Sequence, residues 1–394
     1  MGCDSHIGRI GALAVALGVG VGLVATAGGA SAKPAPSGSS ETSDSPGATR
    51  STAPGQNHAV ATNGTVRVQR GDATAISDGT GSVANAKGSG ATAVATGGSK
   101  AIASGVGATA IATVRACETC LGQGNKVTAS GYNAYATATG SGNTVRATGD
   151  YSTAKAIGSD NTVTASGDVS EATVNGSGNT VVGSGDFSDA TVTGSGNTVT
   201  VDDYRGDVTV TGSNNDVHTS GNVGTYAERN ATAVTGDSNV VSLEGTTSQA
   251  TVEGSSNTVT VIGNDSWANV DGNNNTTSID GDENTTFIGG NHSEATTLGH
   301  DNSALVIGDS STAQAGFVAT DSGNMVGVNG DNSTAEAGYG SNNTVDVNGD
   351  DSTGAAAGID NWVEATGPDS HATALGHDNV VESGPGETVY AINP

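Results

Sequence analysis

Apolar and polar residues alternate with a period of two in short segments along most of the chain, and glycine-containing turns separate these segments. Between residues 140 and 201 the pattern is a nine-residue unit whose sixth and eighth places are apolar, as in Val163/Ala165 and Ala172/Val174. Such alternation, with β-branched residues among the apolar ones, is typical of half-buried β-strands. Glycine at the first place of each unit predicts a corner between strands, where φ can be positive.

Two unlike units alternate, so the full repeat has eighteen residues. The fourth place is Asn in one unit type and Ser in the other, as in Asn161 and Ser170. Fixed self-similarity of this kind predicts a stacked repeat architecture. We therefore predict an all-β fold, a parallel β-solenoid (β-helix or β-roll) in which two nine-residue strand–turn units close each coil. Stacked Asn side chains at the turns are expected to form an amide ladder.

The repeat extends in both directions from this regular stretch. We predict a solenoid over residues 59–394, with irregular Ala-rich coils at 59–139 and regular coils at 140–394. About 18 coils would give a rod on the order of 85 Å long. Insertions interrupt the repeat near residues 221–228 and 316–321, and the Asn/Ser alternation changes phase at Asn275/Asn284. Insertions in solenoids form loops, and such loops often carry binding functions.

The first residues have the features of an export signal. Residues 1–32 contain Arg9, an apolar run and a small-residue cleavage signal that ends at Ala32, which together predict a signal peptide. Residues 33–58 are rich in Pro, Ser and Thr and are predicted to be a disordered linker. The expected product is secreted or associated with the cell envelope, with no membrane segment after signal cleavage.

Charge narrows the range of partners. The net charge is −27, from 13 Lys and Arg against 40 Asp and Glu. Nucleic acids and anionic lipids both require basic surfaces, so this balance argues against either partner. It permits cations or basic partners, and it also keeps a long, thin protein soluble. With 3% aromatic residues and 62 glycines, a wide globular core is not expected.

Three aspartates are candidates for calcium binding. Asp150, Asp168 and Asp186 occupy the second place of successive units, so stacking would bring them about 5 Å apart along one edge. A column of carboxylates repels itself unless it is screened or bridged by a cation. Weak calcium binding and a solvated acidic edge are both consistent with this pattern.

Cys117 and Cys120 form a C-x-x-C motif on the β-repeat. Because Cys3 lies in the predicted signal peptide, these are the cysteines of the mature chain. A zinc site would need two further ligands, and catalytic redox chemistry would need a thioredoxin-like context. In an exported chain the motif favours a local disulfide that pins an irregular turn.

Trp267 and Trp362 both stand at the outward fifth place of their units, on the same face and five coils apart. An exposed aromatic side chain on a rigid sheet can stack on a sugar or hold a partner. Isolated surface aromatic residues are the simpler interpretation.

Several parts of the chain resemble known exported proteins. The leader, residues 6–18, looks like those of exported mycobacterial proteins. The repeat at residues 194–201 resembles the RTX β-roll unit, but Thr198 stands where that family has its acidic ligand, so its calcium sites do not carry over. The pattern Gly-x-x-Asn-x-Val/Ala-x-Val/Ala is similar to curlin repeats, which form secreted fibres. Residues 90–114 are similar to head repeats of trimeric autotransporter adhesins. These resemblances imply an exported surface or matrix protein.

The sequence contains no G-x-S-x-G, H-E-x-x-H, P-loop or dinucleotide-binding motif. We therefore expect a non-enzymatic exported scaffold, adhesin-like, whose partner is a surface glycan or a host or cell-envelope protein. The alternatives are a self-assembling, curlin-like fibre protein and a calcium-responsive β-roll module. A glycan-active enzyme is the least favoured alternative, because basic residues are too scarce to build such a site on one face.

Overall fold

The computed structural model describes residues 49–50, 57–114 and 123–393, apart from residues 186, 203–205, 221–230, 245–247, 309–310, 331, 333, 350, 352, 367–370 and 384–387. Every regular element in these residues is a β-strand. The strands form a parallel β-solenoid of about 16 turns, 18 residues apart, which confirms the predicted fold class. The described part of the chain has no helix that is long and apolar enough to span a membrane.

Two sheets form opposite walls of the solenoid. Sheet A contains β5 (Val83–Lys87), β7 (Lys100–Ser104), β9 (Lys126–Ser130), β11 (Thr144–Thr148), β13 (Thr162–Ser166), β15 (Thr180–Ser184), β17 (Thr198–Asp202), β19 (Asp216–Ser220), β21 (Val240–Glu244), β23 (Thr258–Ile262), β25 (Thr276–Asp280), β27 (Glu294–Leu298), β29 (Thr312–Gln314) and β31 (Thr334–Ala335), and continues as β32 (Gly340–Ser341), β34 (Ala356–Ile359), β36 (His371–His377) and β38 (Thr388–Asn393). Sheet B contains β4 (Thr74–Asp78), β6 (Thr92–Thr96), β8 (Thr109–Thr113), β10 (Tyr135–Ser141), β12 (Thr153–Ser159), β14 (Glu171–Ser177), β16 (Asp189–Ser195), β18 (Asp207–Thr211), β20 (Ala231–Thr235), β22 (Gln249–Glu253), β24 (Trp267–Asp271), β26 (Thr285–Phe287), β28 (Ser303–Ile307), β30 (Met325–Asn329), β33 (Thr344–Asn348), β35 (Trp362–Thr366) and β37 (Val380–Ser383).

Each strand pairs in parallel with the strand one coil later, and equivalent places of the repeat lie opposite each other. Val145 pairs with Val163 in sheet A, and Ala154 pairs with Ala172 in sheet B. The strands before and after each predicted insertion still pair with each other: β19 pairs with β21, and β28 pairs with β30. The strands on either side of each insertion therefore keep their register.

The core is a narrow layer of Val and Ala between the two sheets. The predicted inward places are buried along the chain, including Val163, Ala165, Ala172 and Val174. Small side chains suit this position because the facing sheets belong to the same short coil. Among the described residues, the buried hydroxyls of Thr219, Thr232, Thr277, Thr286 and Thr297 have no hydrogen-bond partner.

The start of the fold departs from the predicted stacking. β2 (His58–Thr62) and β3 (Thr65–Arg70) form an antiparallel hairpin through Asn63 and Gly64, which both have positive φ. β2 also lies antiparallel on β5, and β1 (Thr49–Arg50), inside the predicted linker, pairs with β3. Parallel coils therefore begin at β4 and β5, and there are fewer of them than the spacing predicted. The predicted signal peptide, residues 1–32, lies outside the described residues.

Glycine is needed for two different reasons at the turns. A Cβ on Gly176, at the first place of its unit, would overlap the carbonyl oxygen of Gly194 in the next coil. Gly178, at the third place, has a φ of +67° but has nothing within 4 Å of where a Cβ would lie. The first-place glycine Gly176 therefore sets how closely two coils approach, whereas Gly178 only relieves backbone strain.

The two glycines should respond differently to the same substitution. We expect Gly178→Ala to cost about 1 kcal/mol, because a left-handed residue then carries a Cβ. Gly176→Ala should cost about 3 kcal/mol or more, because overpacking against backbone adds to that strain. Urea unfolding followed by circular dichroism would measure both. Equal losses would contradict a steric role for the first-place glycine.

Candidate functional site

Two corners run along the solenoid. Corner A is the turn that precedes each strand of sheet A, and corner B is the turn that precedes each strand of sheet B. The fourth places of the units lie inside these turns and are buried in the described coils. Corner A carries Asn125, Asn143, Asn161, Asn179, Asn197, Asn215, Asn239, Asn257 and Asn275, followed by Ser293 and Ser311, whereas corner B carries Ser152, Ser170, Ser188, Ser248 and Ser266, followed by Asn284, Asn302, Asn324, Asn343, Asn361 and Asn379.

The asparagines form the predicted amide ladder. The Nδ2 of Asn161 donates to the Oδ1 of Asn143 at 2.9 Å and to the carbonyl oxygen of Gly176 at 2.8 Å. The Oδ1 of Asn161 accepts from the backbone N–H of Asn179 at 3.0 Å and from its Nδ2 at 2.9 Å. Each buried amide is therefore satisfied by the coils on either side of it.

The ladder changes corner where the sequence changes phase. On corner A, the Oδ1 of Asn275 accepts from the backbone N–H of Ser293 at 2.9 Å. On corner B, the Oδ1 of Asn284 accepts from the backbone N–H of Asn302 at 2.9 Å. Serine has no amide with which to continue the ladder: the Oγ of Ser170 donates to the carbonyl oxygens of Ser166 and Gly185. The phase change is thus a transfer of the ladder from one corner to the other.

The strand pairing places the two tryptophans on one face of sheet B. Trp267 and Trp362 occupy the same outward column of sheet B, five coils apart, with Met325 between them. Their exposed fractions are 37% for Trp267, 42% for Trp362 and 53% for Met325. The sheet thus holds three large apolar side chains outward along one line.

The other predicted site residues are only partly described. Asp150 and Asp168 lie in adjacent coils at corner B, where the backbone N–H of Val169 donates to the carbonyl oxygen of Asp150 at 2.9 Å. Asp186, Cys117 and Cys120 lie outside the described residues. The described residues contain no group of three His, Cys, Asp or Glu side chains that could hold a metal ion. Calcium binding and the disulfide stay predictions.

Corner A forms a shallow groove of about 370 Å³. Backbone atoms of successive glycine turns form part of it, and short hydroxyl and apolar side chains surround them. The groove is lined by Val114, Thr139, Gly140, Ser141, Ile157, Gly158, Ser159, Asn175, Gly176 and Ser177. In the chain, Val114 is the last described residue before the segment 115–122, which contains Cys117 and Cys120.

Sequence reasoning missed a row of exposed apolar side chains at corner B. Val106, Tyr132, Tyr151, Val169 and Phe187, here called the corner B stripe, stand in five consecutive coils and are 52%, 50%, 59%, 43% and 40% exposed. The rings of Tyr132 and Tyr151 meet edge to face, with centroids 6.4 Å apart. The sequence did contain a signal for this row. Bulky apolar residues stand at turn positions that hold Asp, Asn or Gly in other coils.

Three residues of the corner B stripe have an unfavourable backbone conformation. The φ angles of Tyr151, Val169 and Phe187 are 62°, 63° and 64°. A left-handed conformation costs a non-glycine residue roughly 1–2 kcal/mol, and it is least costly for Asn and Asp. Equivalent turns of corner B use Asp265 and Asn342 with φ of 51° and 58°. The apolar side chains of the stripe are therefore not explained by the stability of the turn.

The second insertion is organised around a buried carboxylate. Asp321 is 3% exposed, and its Oδ2 accepts from the backbone N–H groups of Phe317 at 2.8 Å and Val318 at 3.0 Å. Its Oδ1 accepts from the backbone N–H of Gly340 at 2.9 Å, in the next coil. The ring of Phe317 packs on Tyr339, with centroids 5.3 Å apart. The predicted loop is therefore fixed to the solenoid, and the first insertion lies in residues that the structure does not describe.

Further along corner B, the exposed side chains are mainly acidic. Glu283 hydrogen-bonds to Asp301, and this bond, followed by repulsion from Asp301, Asp265 and Asp282, raises the pKa of the Glu283 carboxyl. The Nδ1 of His300 lies 3.7 Å from the Oδ2 of Asp282. The first half of this corner thus combines exposed apolar side chains with Asp150 and Asp168, whereas the second half is mainly acidic.

Comparisons with known proteins add one finding. A family model described as a protein of unknown function (DUF3060) matches residues 174–228, which include β15 to β19. No curated protein and no solved structure gives a match.

The buried amide ladder should dominate local stability. Asn179→Ala removes two donated bonds and leaves the backbone N–H of Asn197 without its acceptor, so we expect a loss of about 3–5 kcal/mol. Asn179→Ser should lose less, since corner B tolerates Ser at this place. Asn175→Ala, at an exposed position of β14, is the matched control and should change stability by less than about 0.5 kcal/mol. Urea unfolding of the three variants checks this order.

The acidic part of corner B predicts a pH effect. Because the folded-state pKa of Glu283 is raised, the folded protein binds more protons than the unfolded chain, and stability falls as pH rises through that pKa. Glu283→Gln should therefore raise the melting temperature at about pH 7 and leave it unchanged at about pH 3, where carboxyls are protonated. Glu253→Gln, an exposed position on β22, controls for the change in net charge. Destabilisation by Glu283→Gln at neutral pH would show that repulsion does not govern this corner.

Proposed function

We propose that this protein is a non-enzymatic, exported scaffold of the cell surface or extracellular space that displays binding residues in an adhesin-like manner. The observation that carries the proposal is that alternate side chains of each strand point into the core or out to solvent, so the two sets can vary independently. Along one column of sheet B the outward residue changes from Glu171 to Trp267 to Met325, while the next, inward residue is Ala172, Ala268 and Val326 in these coils. A solenoid of this kind tolerates any outward chemistry without loss of its core.

The dimensions suit display over a long surface. About 16 turns at the usual strand spacing give a rod of roughly 75–80 Å. Trp267 and Trp362, five coils apart, lie about 24 Å from each other along it. Exposed aromatic rings at fixed spacing can stack on successive sugars of an extended glycan or contact a cell-envelope or host protein. The export signal at residues 1–32 supports the extracytoplasmic location.

The N-terminal hairpin weighs against an open-ended fibre. β2 covers the edge of β5 in antiparallel orientation, so a second copy cannot add a parallel strand to sheet A at that position. A display scaffold is therefore preferred to a self-assembling one, and the acidic column of Asp150 and Asp168 is treated as part of the displayed surface.

The proposal is tested with the full chain on a glycan array and on isolated cell-envelope material, together with surface labelling of intact cells. We expect extracytoplasmic location and binding that the double variant Trp267→Thr/Trp362→Thr weakens about tenfold. Threonine already occupies this column at Thr285 and Thr344, so the fold should be kept. Tyr390→Thr, at a 70% exposed residue elsewhere, is the matched control. Retention in the cytoplasm, or turnover of a bound glycan, would contradict the proposal.

A further inference from the structure

We propose that the corner B stripe binds an extended basic segment of a partner protein, with arginine side chains stacked on its rings and paired with the neighbouring carboxylates. The inference rests on the proposed function, because it names a partner for a displayed surface. It concerns the first half of corner B, away from the Trp267 and Trp362 column.

The stripe has the dimensions of a short peptide site. Its five side chains stand in consecutive coils, so it is about 19 Å long at the strand spacing. An extended peptide of about six residues has this length. Val106 and Tyr132 stand at the second place of the turn and Tyr151, Val169 and Phe187 at the third, and the two groups meet where the rings of Tyr132 and Tyr151 pack edge to face. The side chains are 40% to 59% exposed, so they offer contact area to a partner.

The backbone indicates selection for these side chains. Tyr151, Val169 and Phe187 adopt the left-handed conformation, in which Asn and Asp are preferred over bulky residues. Other turns of the same corner hold Asp265, Asn342 and other small polar residues there. The chain thus keeps apolar side chains in the exposed turns where they cost stability, which is expected if they make contacts outside the protein.

Charge identifies the chemistry of the partner. Asp150 and Asp168 precede Tyr151 and Val169 in the turns, and exposed Glu171 follows. On the sheet B strands β8, β10, β12, β14 and β16, which leave these turns, the one basic residue is Lys155, and the sheet A strands that enter the turns carry Lys100, Lys126 and Arg146. A net charge of −27 repels a second copy of this chain and favours a cationic partner.

Arginine fits this surface better than other cations. Its planar guanidinium stacks on an aromatic face and can also pair with a carboxylate. Lysine supplies the charge without the planar stack, so it should bind less well. A neutral glycan could stack on the rings and donate hydroxyl hydrogen bonds to Asp150 and Asp168, but it would lack the ionic attraction that a guanidinium has for these carboxylates.

The experiment measures fluorescence anisotropy of labelled hexa-arginine, hexa-lysine and hexa-glutamate with the full chain. The central variant is Tyr151→Asn/Val169→Asn/Phe187→Asn, which keeps the net charge and places a preferred residue at each left-handed position. We expect it to bind hexa-arginine about tenfold more weakly, with an equal or higher melting temperature. Tyr390→Thr, at an exposed aromatic residue outside both candidate surfaces, should leave this binding unchanged. Asp150→Asn/Asp168→Asn should weaken binding to a similar extent and reduce its salt dependence.

The result that overturns the proposal is unchanged hexa-arginine affinity in the triple Asn variant, because binding would then reflect net charge alone. Equal affinity for hexa-lysine and hexa-arginine would also overturn it. A neutral oligosaccharide such as maltoheptaose that binds through the stripe, while hexa-arginine does not, would replace the basic partner with a glycan. Binding of the neutral oligosaccharide would leave the proposed display function intact. Retention of the chain in the cytoplasm would contradict the display function but would not change the measured affinity for the peptides.

Discussion

The structure depends on a buried asparagine that hydrogen-bonds to both of its neighbours in the stack. A turn in the protein interior leaves backbone carbonyl and N–H groups that need partners. The amide of Asn161 supplies both a donor and an acceptor, and its reach equals the separation of two coils. The contact works only because Gly176 and its equivalents let successive turns approach closely. With the turns fixed in this way, a core of Val and Ala is sufficient, and the outward residues are free to vary.

Much of this architecture was accessible from the sequence, because the same constraint acts in every coil. Strand positions, inward residues, the ladder and the behaviour of the insertions all follow from a period that repeats many times. The first segment was harder, since residues 58–70 carry the same alternation as the coils but reverse direction. The dipeptide Asn63-Gly64, a common hairpin turn, was the local signal for that reversal.

The candidate surfaces were less predictable than the fold. Trp267 and Trp362 were found because each is rare in this composition and occupies an outward place of the repeat. The corner B stripe was overlooked because Tyr132, Tyr151 and Phe187 lie in turns, where the repeat places no apolar requirement. Their significance depends on backbone angles and on alignment across coils, and neither can be read from one unit alone. A surface patch of a solenoid is built from equivalent positions of successive coils, which are about eighteen residues apart in the sequence.

The transfer of the amide ladder between corners has a mechanical consequence. Up to Asn275 the amide ladder between coils runs along corner A, and from Asn284 it runs along corner B. A force along the rod would therefore be transmitted through the amides of a different corner on each side of this coil. The unpartnered hydroxyls of Thr277, Thr286 and Thr297 lie in the same region. In a rod held at one end and loaded at the other, the part of the load that the amides carry would pass from one corner to the other at this joint, while the strand pairing of both sheets continues across it.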